Sequence, residues 1–166
     1  DGDGRPVILV WPSDHSGAHG LLVIDIETGA SEMIPLPGEG GGSPFAFILS
    51  RANKFYSHMG KTFYEFDPAT RRFTFHGRTG DHVAMAMTED DQGRIWLGTY
   101  PRAYLYSFDP ATRELSDHGR LNKESWAQYP RAMAVDSQGW VYASIGMTAC
   151  QVVAFNPANG EMSKLL

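Results

Sequence analysis

Thr88-Glu89-Asp90-Asp91-Gln92-Gly93-Arg94-Ile95-Trp96-Leu97-Gly98-Thr99, followed by Tyr104-Leu105-Tyr106-Ser107-Phe108-Asp109-Pro110-Ala111-Thr112, reads as strand, tight turn, strand, loop, strand, turn. Short apolar runs rich in aromatic and β-branched residues are bounded by turn formers, which is the pattern of half-buried strands. The same order recurs on both sides of this stretch. Asp25, Asp67, Asp109 and Asn156 each close an apolar run, at spacings of 42, 42 and 47 residues. The first turn recurs too, since Asp91-Gln92-Gly93 and Ser137-Gln138-Gly139 lie 46 residues apart.

A fixed period in the forties, with short strands and no helical stretch, is the signature of β-propeller blades. The fold class expected is therefore all-β, built from blades of four antiparallel strands. Asp3-Gly4-Arg5 resembles Gln92-Gly93-Arg94, which puts residue 1 at the hinge between the first and second strands of a blade. Blade 1 (1–38) then has strands at Val7–Trp11, Leu21–Asp25 and Glu32–Leu36. Blade 2 (44–79) has Phe45–Leu49, Lys54–His58, Thr62–Asp67 and Arg72–Phe75. Blade 3 (83–120) has Met85–Glu89, Arg94–Gly98, Tyr104–Asp109 and Glu114–Asp117. Blade 4 (130–166) has Ala132–Asp136, Trp140–Ser144, Gln151–Asn156 and Glu161–Leu165.

In Asp-Pro-Ala-Thr the proline suits a type I turn and the aspartate side chain can cap its backbone. Gly93, Gly139 and Asn53 fit hairpin positions that need positive φ. Gly40-Gly41-Gly42-Ser43-Pro44 reads as an inter-blade loop. Fifteen strands make about 3.75 blades, so the expected ring is larger than this chain. Its remaining blades would come from missing chain or a second copy. An open arc would also expose sheet edges and apolar faces.

With 166 residues, 42% of them hydrophobic, the chain can bury a sizeable core. A formal charge of -5 with no basic tract argues against nucleic acid or an anionic membrane surface as partner. The longest apolar runs are strand-length, far short of a membrane-spanning helix. Cys150 is the only cysteine, so no intrachain disulfide is possible.

In a four-stranded blade the second-to-third-strand loops and the inter-blade loops emerge on one face, around the channel. That face collects His15, His19, His58, His82, Tyr100, Arg102, Trp126, Tyr129 and Arg131. The opposite face holds mostly Asp-Gln-Gly and Asp-Pro-Ala-Thr turns, so binding is expected at the channel end. Residues that recur at the repeat spacing serve the blade, and those that break it are freer to serve function. His76-Gly77-Arg78 and His118-Gly119-Arg120 recur 42 residues apart and belong to the scaffold. His58 breaks the pattern, because Gly98 and Ser144 take its place in later blades. His15, His19 and His82 also lack repeat partners; each of these four histidines, His58 included, is open to a ligand role or to the plainer one of a polar loop residue or hydrogen-bonded rim histidine.

Tyr-Pro-Arg-Ala occurs at Tyr100–Ala103 and at Tyr129–Ala132, 29 residues apart and so off the repeat. Two arginines beside two tyrosines suit a carboxylate, which guanidinium grips bidentately and phenol can hydrogen-bond. The alternative is coincidence between two ordinary loops, each arginine pairing with a neighbouring acid. Trp126 offers a surface on which a sugar ring stacks, or a plug for the channel. No tight histidine spacing marks a zinc motif, although blades can pool ligands, so a divalent metal in the channel stays open. There is no Gly-x-Ser-x-Gly elbow, and the Gly-rich loop precedes a strand rather than a phosphate-binding helix.

The Glu89-to-Thr99 run and the later Ala134-to-Ser144 run resemble the repeats of streptogramin-lyase-like and sensor-type propellers, and of propeller polysaccharide lyases acting on uronic-acid glycans. In the lyases of that class, channel-facing His, Tyr and Arg perform β-elimination, sometimes with a divalent metal. The resemblance implies here that Arg102 and Arg131, with Trp126, His15 and His19, would hold an acidic oligosaccharide. His58 or His82 would then act as general base and Tyr100 or Tyr129 as proton donor. It implies a secreted or periplasmic location with equal force. The alternative it carries is a non-enzymatic sensor or binding propeller using the same face.

Overall fold

In the computed structural model, which describes residues 1–38 and 41–166, the chain forms seventeen strands and, among the described residues, no helix. Blade 1 is a sheet of three strands, β1 (Val7–Val10), β4 (Gly20–Asp25) and β5 (Ser31–Pro35). A small hairpin, β2 (Ser13–Asp14) with β3 (Gly17–Ala18), fills its loop. Blade 2 is β6 (Phe47–Leu49), β7 (Phe55–Met59), β8 (Thr62–Asp67) and β9 (Arg72–Arg78). Blade 3 is β10 (Val83–Glu89), β11 (Ile95–Tyr100), β12 (Tyr104–Asp109) and β13 (Glu114–Arg120). Blade 4 is β14 (Tyr129–Val135), β15 (Val141–Gly146), β16 (Gln151–Asn156) and β17 (Glu161–Lys164). Every pairing within a blade is antiparallel between consecutive blade strands. The fold is that of β-propeller blades, present as part of a ring.

The turns repeat in chemical detail. At the third-to-fourth-strand turn, Gly29, Arg71, Arg113 and Gly160 all take positive φ, four residues after Asp25, Asp67, Asp109 and Asn156. The Oδ1 atoms of those four accept from backbone N–H two residues on, at 2.9–3.0 Å, so the expected capping is present. Where the positive-φ residue is arginine, its side chain reaches back to the preceding blade. Arg71 meets Glu32 at 3.3 Å, and Arg113 meets the buried Glu65 at 2.6 Å.

Packing follows from the two-sided burial of the middle strands. Between blades 2 and 3 lie Tyr56, Phe63, Ile95, Leu97, Tyr106 and Phe108. Between blades 3 and 4 lie Trp96, Leu105, Val141, Ile145, Val153 and Phe155. Among the described residues no blade packs on the outer face of blade 1, where Ile8 and Met33 are each half exposed. That exposed apolar face is the one expected of an open arc.

Candidate functional site at the channel face

The two loop sets expected to share a face do meet, through several backbone hydrogen bonds. Ala18 N donates to Gly42 O at 2.9 Å, Lys61 N to His82 O at 2.9 Å, and Gln128 N to Pro101 O at 2.8 Å. The last of these lays Arg102 alongside Gln128 as a parallel bridge and brings the two Tyr-Pro-Arg-Ala copies together. The Tyr100 and Tyr129 rings stand 4.4 Å apart at 36°. The neighbouring Tyr129 phenol, first among several causes, pushes the Tyr100 phenol above its ordinary value, so it stays neutral at physiological pH.

A hollow of about 630 Å³ opens beside this pair, lined by Phe45, His82, Val83, Met85, Tyr100, Tyr129 and Arg131. Two of these side chains are aimed by β-bulges. In β10 the ladder to β11 slips between Ala84 and Ala86, and in β14 the ladder to β15 slips between Pro130 and Ala132. Met85 and Arg131 are thus the extra residues, one repeat apart, turned out of the pleat. The same backbone device presents a thioether in one blade and a guanidinium in the next. The Arg131 guanidinium lies 4.8 Å over the Tyr129 ring, and among the described residues it has no carboxylate partner.

The nine residues singled out from the sequence separate sharply. His82, Tyr100, Tyr129 and Arg131 share the hollow. Arg102 does not line it. Its Nη2 donates to Gly80 O at 2.7 Å, its Nε lies 3.6 Å from Asp81 Oδ1, and its guanidinium rests 5.0 Å over Tyr104. Asp81 is buried and also accepts from Arg102 N at 3.0 Å and Thr99 Oγ1 at 3.2 Å. Arg102 therefore fastens its own loop, apart from the hollow.

His58 is 0% exposed. Its Nδ1 accepts from Ala84 N at 2.8 Å, so the proton must sit on Nε2, which donates to Thr79 Oγ1 at 2.7 Å. The Thr79 hydroxyl donates onward to Asp81 O at 3.1 Å. With both ring nitrogens committed and burial pushing its pKa down to about 3, His58 has no open nitrogen with which to take a substrate proton. The general-base expectation for His58 is corrected on that ground.

Trp126 packs on the core between blades 3 and 4 rather than facing the hollow. His15 and His19 belong to the β2–β3 hairpin region of blade 1, where His19 lines a different hollow with Pro12 and Met33. Ser16 Oγ there touches Asp14 Oδ1 at 2.5 Å and His19 Nε2 at 2.9 Å. In this exposed cluster the carboxylate holds the serine as well as the imidazole, which is not the nucleophile–base–orienter order of a hydrolytic triad. Among the described residues no cluster of His, Cys, Asp and Glu is placed to hold a metal ion.

Phe45, Val83 and Met85 line the hollow without having been singled out. The available signal was position: they lie just before or at the start of the first strands of blades 2 and 3, where side chains border the channel. Of the glycine-rich loop before Phe45, Gly40 lies outside the described residues.

Comparison with known proteins agrees with this architecture. Residues 77–100 match the family model described as two component regulator propeller. No curated protein sequence matches the chain. Among solved structures it is similar to the RRP9 WD40 repeats (10% identity, 95% of this chain and 47% of that one, TM-score 0.70). It is also similar to hydrazine synthase of Kuenenia stuttgartiensis (13% identity, 89% and 43%, TM-score 0.65). A third likeness is to the extracellular domain described for a hybrid two-component system of B. thetaiotaomicron (16% identity, 89% and 20%, TM-score 0.61). The chain thus spans less than half the length of each of these three solved chains, and at such identities the likeness is one of fold.

Proposed function

We propose that this chain is part of a ligand-binding propeller of the sensor type, which holds a small acidic ligand on its channel face without transforming it. The observation that carries the reading is Arg131. A bulge turns it out of β14, an aromatic ring backs it, and among the described residues no acid neutralises it. Beside it the Tyr100–Tyr129 pair offers ring surface and phenol oxygens, and Phe45, Val83 and Met85 supply apolar wall. A ring bearing a carboxylate, such as a uronate unit of an acidic oligosaccharide, complements all three features. The match to a two component regulator propeller and the likeness to a two-component system's extracellular domain support binding over chemistry. β-Elimination finds less support, because His58 is enclosed and, among the described residues, His82 is the one imidazole lining the hollow.

The test is calorimetric titration with a hexuronate trisaccharide and with its uncharged methyl ester, followed by a search for new ultraviolet absorbance. Binding of the acid, at least ~10-fold weaker binding of the ester, and no absorbance are expected. Equal affinity for acid and ester would remove the carboxylate from the account. Unsaturated product would replace a binding function with a lyase.

A further inference from the structure

The hollow beside Arg131 has two unlike sides. Its polar groups are the Arg131 guanidinium, the His82 imidazole and the phenols of Tyr100 and Tyr129. These cluster, because Tyr129 and Arg131 share β14, the two tyrosine rings stand 4.4 Å apart, and His82 N donates to Tyr100 O at 3.1 Å. The remaining wall is Phe45, Val83 and Met85, from the chain entering blades 2 and 3. Those three side chains offer a ligand no hydrogen-bond donor, and as acceptor only a weak thioether.

The apolar wall is no overflow from the core. In an unbroken strand residues two apart share a face, so Met85 would join Met87, which packs on the core between blades 2 and 3. The slip between Ala84 and Ala86 instead puts Ala84 on that core with Met87 and sends Met85 into the hollow. Val83 and Met85 are both half-buried there. At about 630 Å³ the hollow has room for a sugar ring and a second ring beside it.

We propose that the ligand is an aryl uronide, a uronate sugar carrying an aromatic substituent, and that Met85 selects for that substituent. The inference rests on the carboxylate reading above and adds the other half of the ligand. The carboxylate pairs with Arg131 and the sugar lies along the Tyr100–Tyr129 pair, where its hydroxyls meet the phenols and the His82 imidazole. The aromatic ring covers Phe45, Val83 and Met85, whose thioether makes a favourable contact with a ring edge. A second hydroxyl-bearing sugar in that place would lose water from its hydroxyls and find no partner on the wall. A bare aromatic acid would fill the wall but leave the phenols and the imidazole unanswered.

The experiment titrates phenyl β-D-glucuronide and methyl β-D-glucuronide by calorimetry, into the parent chain and into Met85→Gln, with melting recorded to check the fold. Phe45→Asn replaces Met85→Gln should the latter not fold. We expect the phenyl compound to bind the parent at least ~10-fold more tightly than the methyl compound. In the variant that preference should fall below ~3-fold. Equal affinity of the two glucuronides for the parent would overturn the aryl proposal and leave the carboxylate reading standing. A preference undiminished in the variant would overturn it too, since the ring would then lie away from this wall. Binding of neither compound would overturn both readings.

Discussion

The seam between blades 2 and 3 and the seam between blades 3 and 4 solve one backbone problem in two ways. At both, a bulge near the start of the first strand turns a residue out of the ladder. At the first seam the residue before the bulge is Ala84, whose N–H points inward, and His58 accepts from it. At the second seam the same place holds Pro130, which has no N–H, and the place of His58 is taken by Gly98. A Cβ built on Gly98 would meet Pro130 Cβ at 2.8 Å. Histidine with alanine and glycine with proline are therefore matched pairs, the ring lying on opposite sides of the seam. His58 breaks the sequence repeat because its partner does. Departure from a repeat marks function only when no neighbour departs in compensation.

The largest effect should come from His58→Gly, which empties a buried site and orphans the Ala84 N–H. A loss of ~3–5 kcal/mol in urea unfolding is expected. Adding Ala84→Pro transplants the second seam into the first, and should recover ~1–2 kcal/mol by removing the orphaned donor. If the double variant is no more stable than His58→Gly, the two seams are not equivalent.

The same histidine sets an acid dependence. Its folded pKa of about 3 lies below the usual value of 6.5, so the unfolded chain binds the extra proton between those limits. Its contribution is complete above pH 6.5, falls by ~1.4 kcal/mol per pH unit below it, and levels off near pH 3. His118, half-buried against Trp96 and Phe155, is pushed down by burial and adds in the same direction. Stability curves of the His58→Gly chain should slope less between pH 6 and 4 than those of the parent (~1.4 kcal/mol per unit less); parallel slopes would assign the acid sensitivity elsewhere. Smaller again is Gly98→Ala, which pushes a methyl into the Pro130 ring and should cost ~1–3 kcal/mol. A neutral result would show that this seam can open by the needed fraction of an ångström.

Much of the fold was legible because its signals are local. Thr62–Asp67, Tyr104–Asp109 and Gln151–Asn156 have the bounds expected from the sequence, each closed by a side chain that caps its own turn. β9 and β13 run past the expected Phe75 and Asp117 to Arg78 and Arg120. His76-Gly77-Arg78 lies beyond the expected strand end, but Gly77 remains in the strand, with Leu115 of the next blade packed where its Cβ would be. The β2–β3 hairpin was missed because two-residue strands leave no alternation to detect.

The site was only partly legible, for a different reason. Tyr-Pro-Arg-Ala is the same four letters twice, yet Arg102 is tied down by Gly80 and Asp81 while Arg131 stands free over Tyr129. What separates them is a register slip in β14 and a buried carboxylate on another loop, neither of which is written in the four residues themselves. His58 misled for the matching reason, since its partner is a backbone N–H 26 residues away.

That contrast between two identical motifs can be measured directly by titrating Arg131→Ala and Arg102→Ala with the hexuronate trisaccharide while recording their melting. Arg131→Ala should bind at least ~10-fold more weakly at unchanged Tm, and Arg102→Ala should keep its affinity while losing ~1–2 kcal/mol of stability. Full affinity in Arg131→Ala, or lost affinity at full stability in Arg102→Ala, would contradict the assignment of the channel-face hollow.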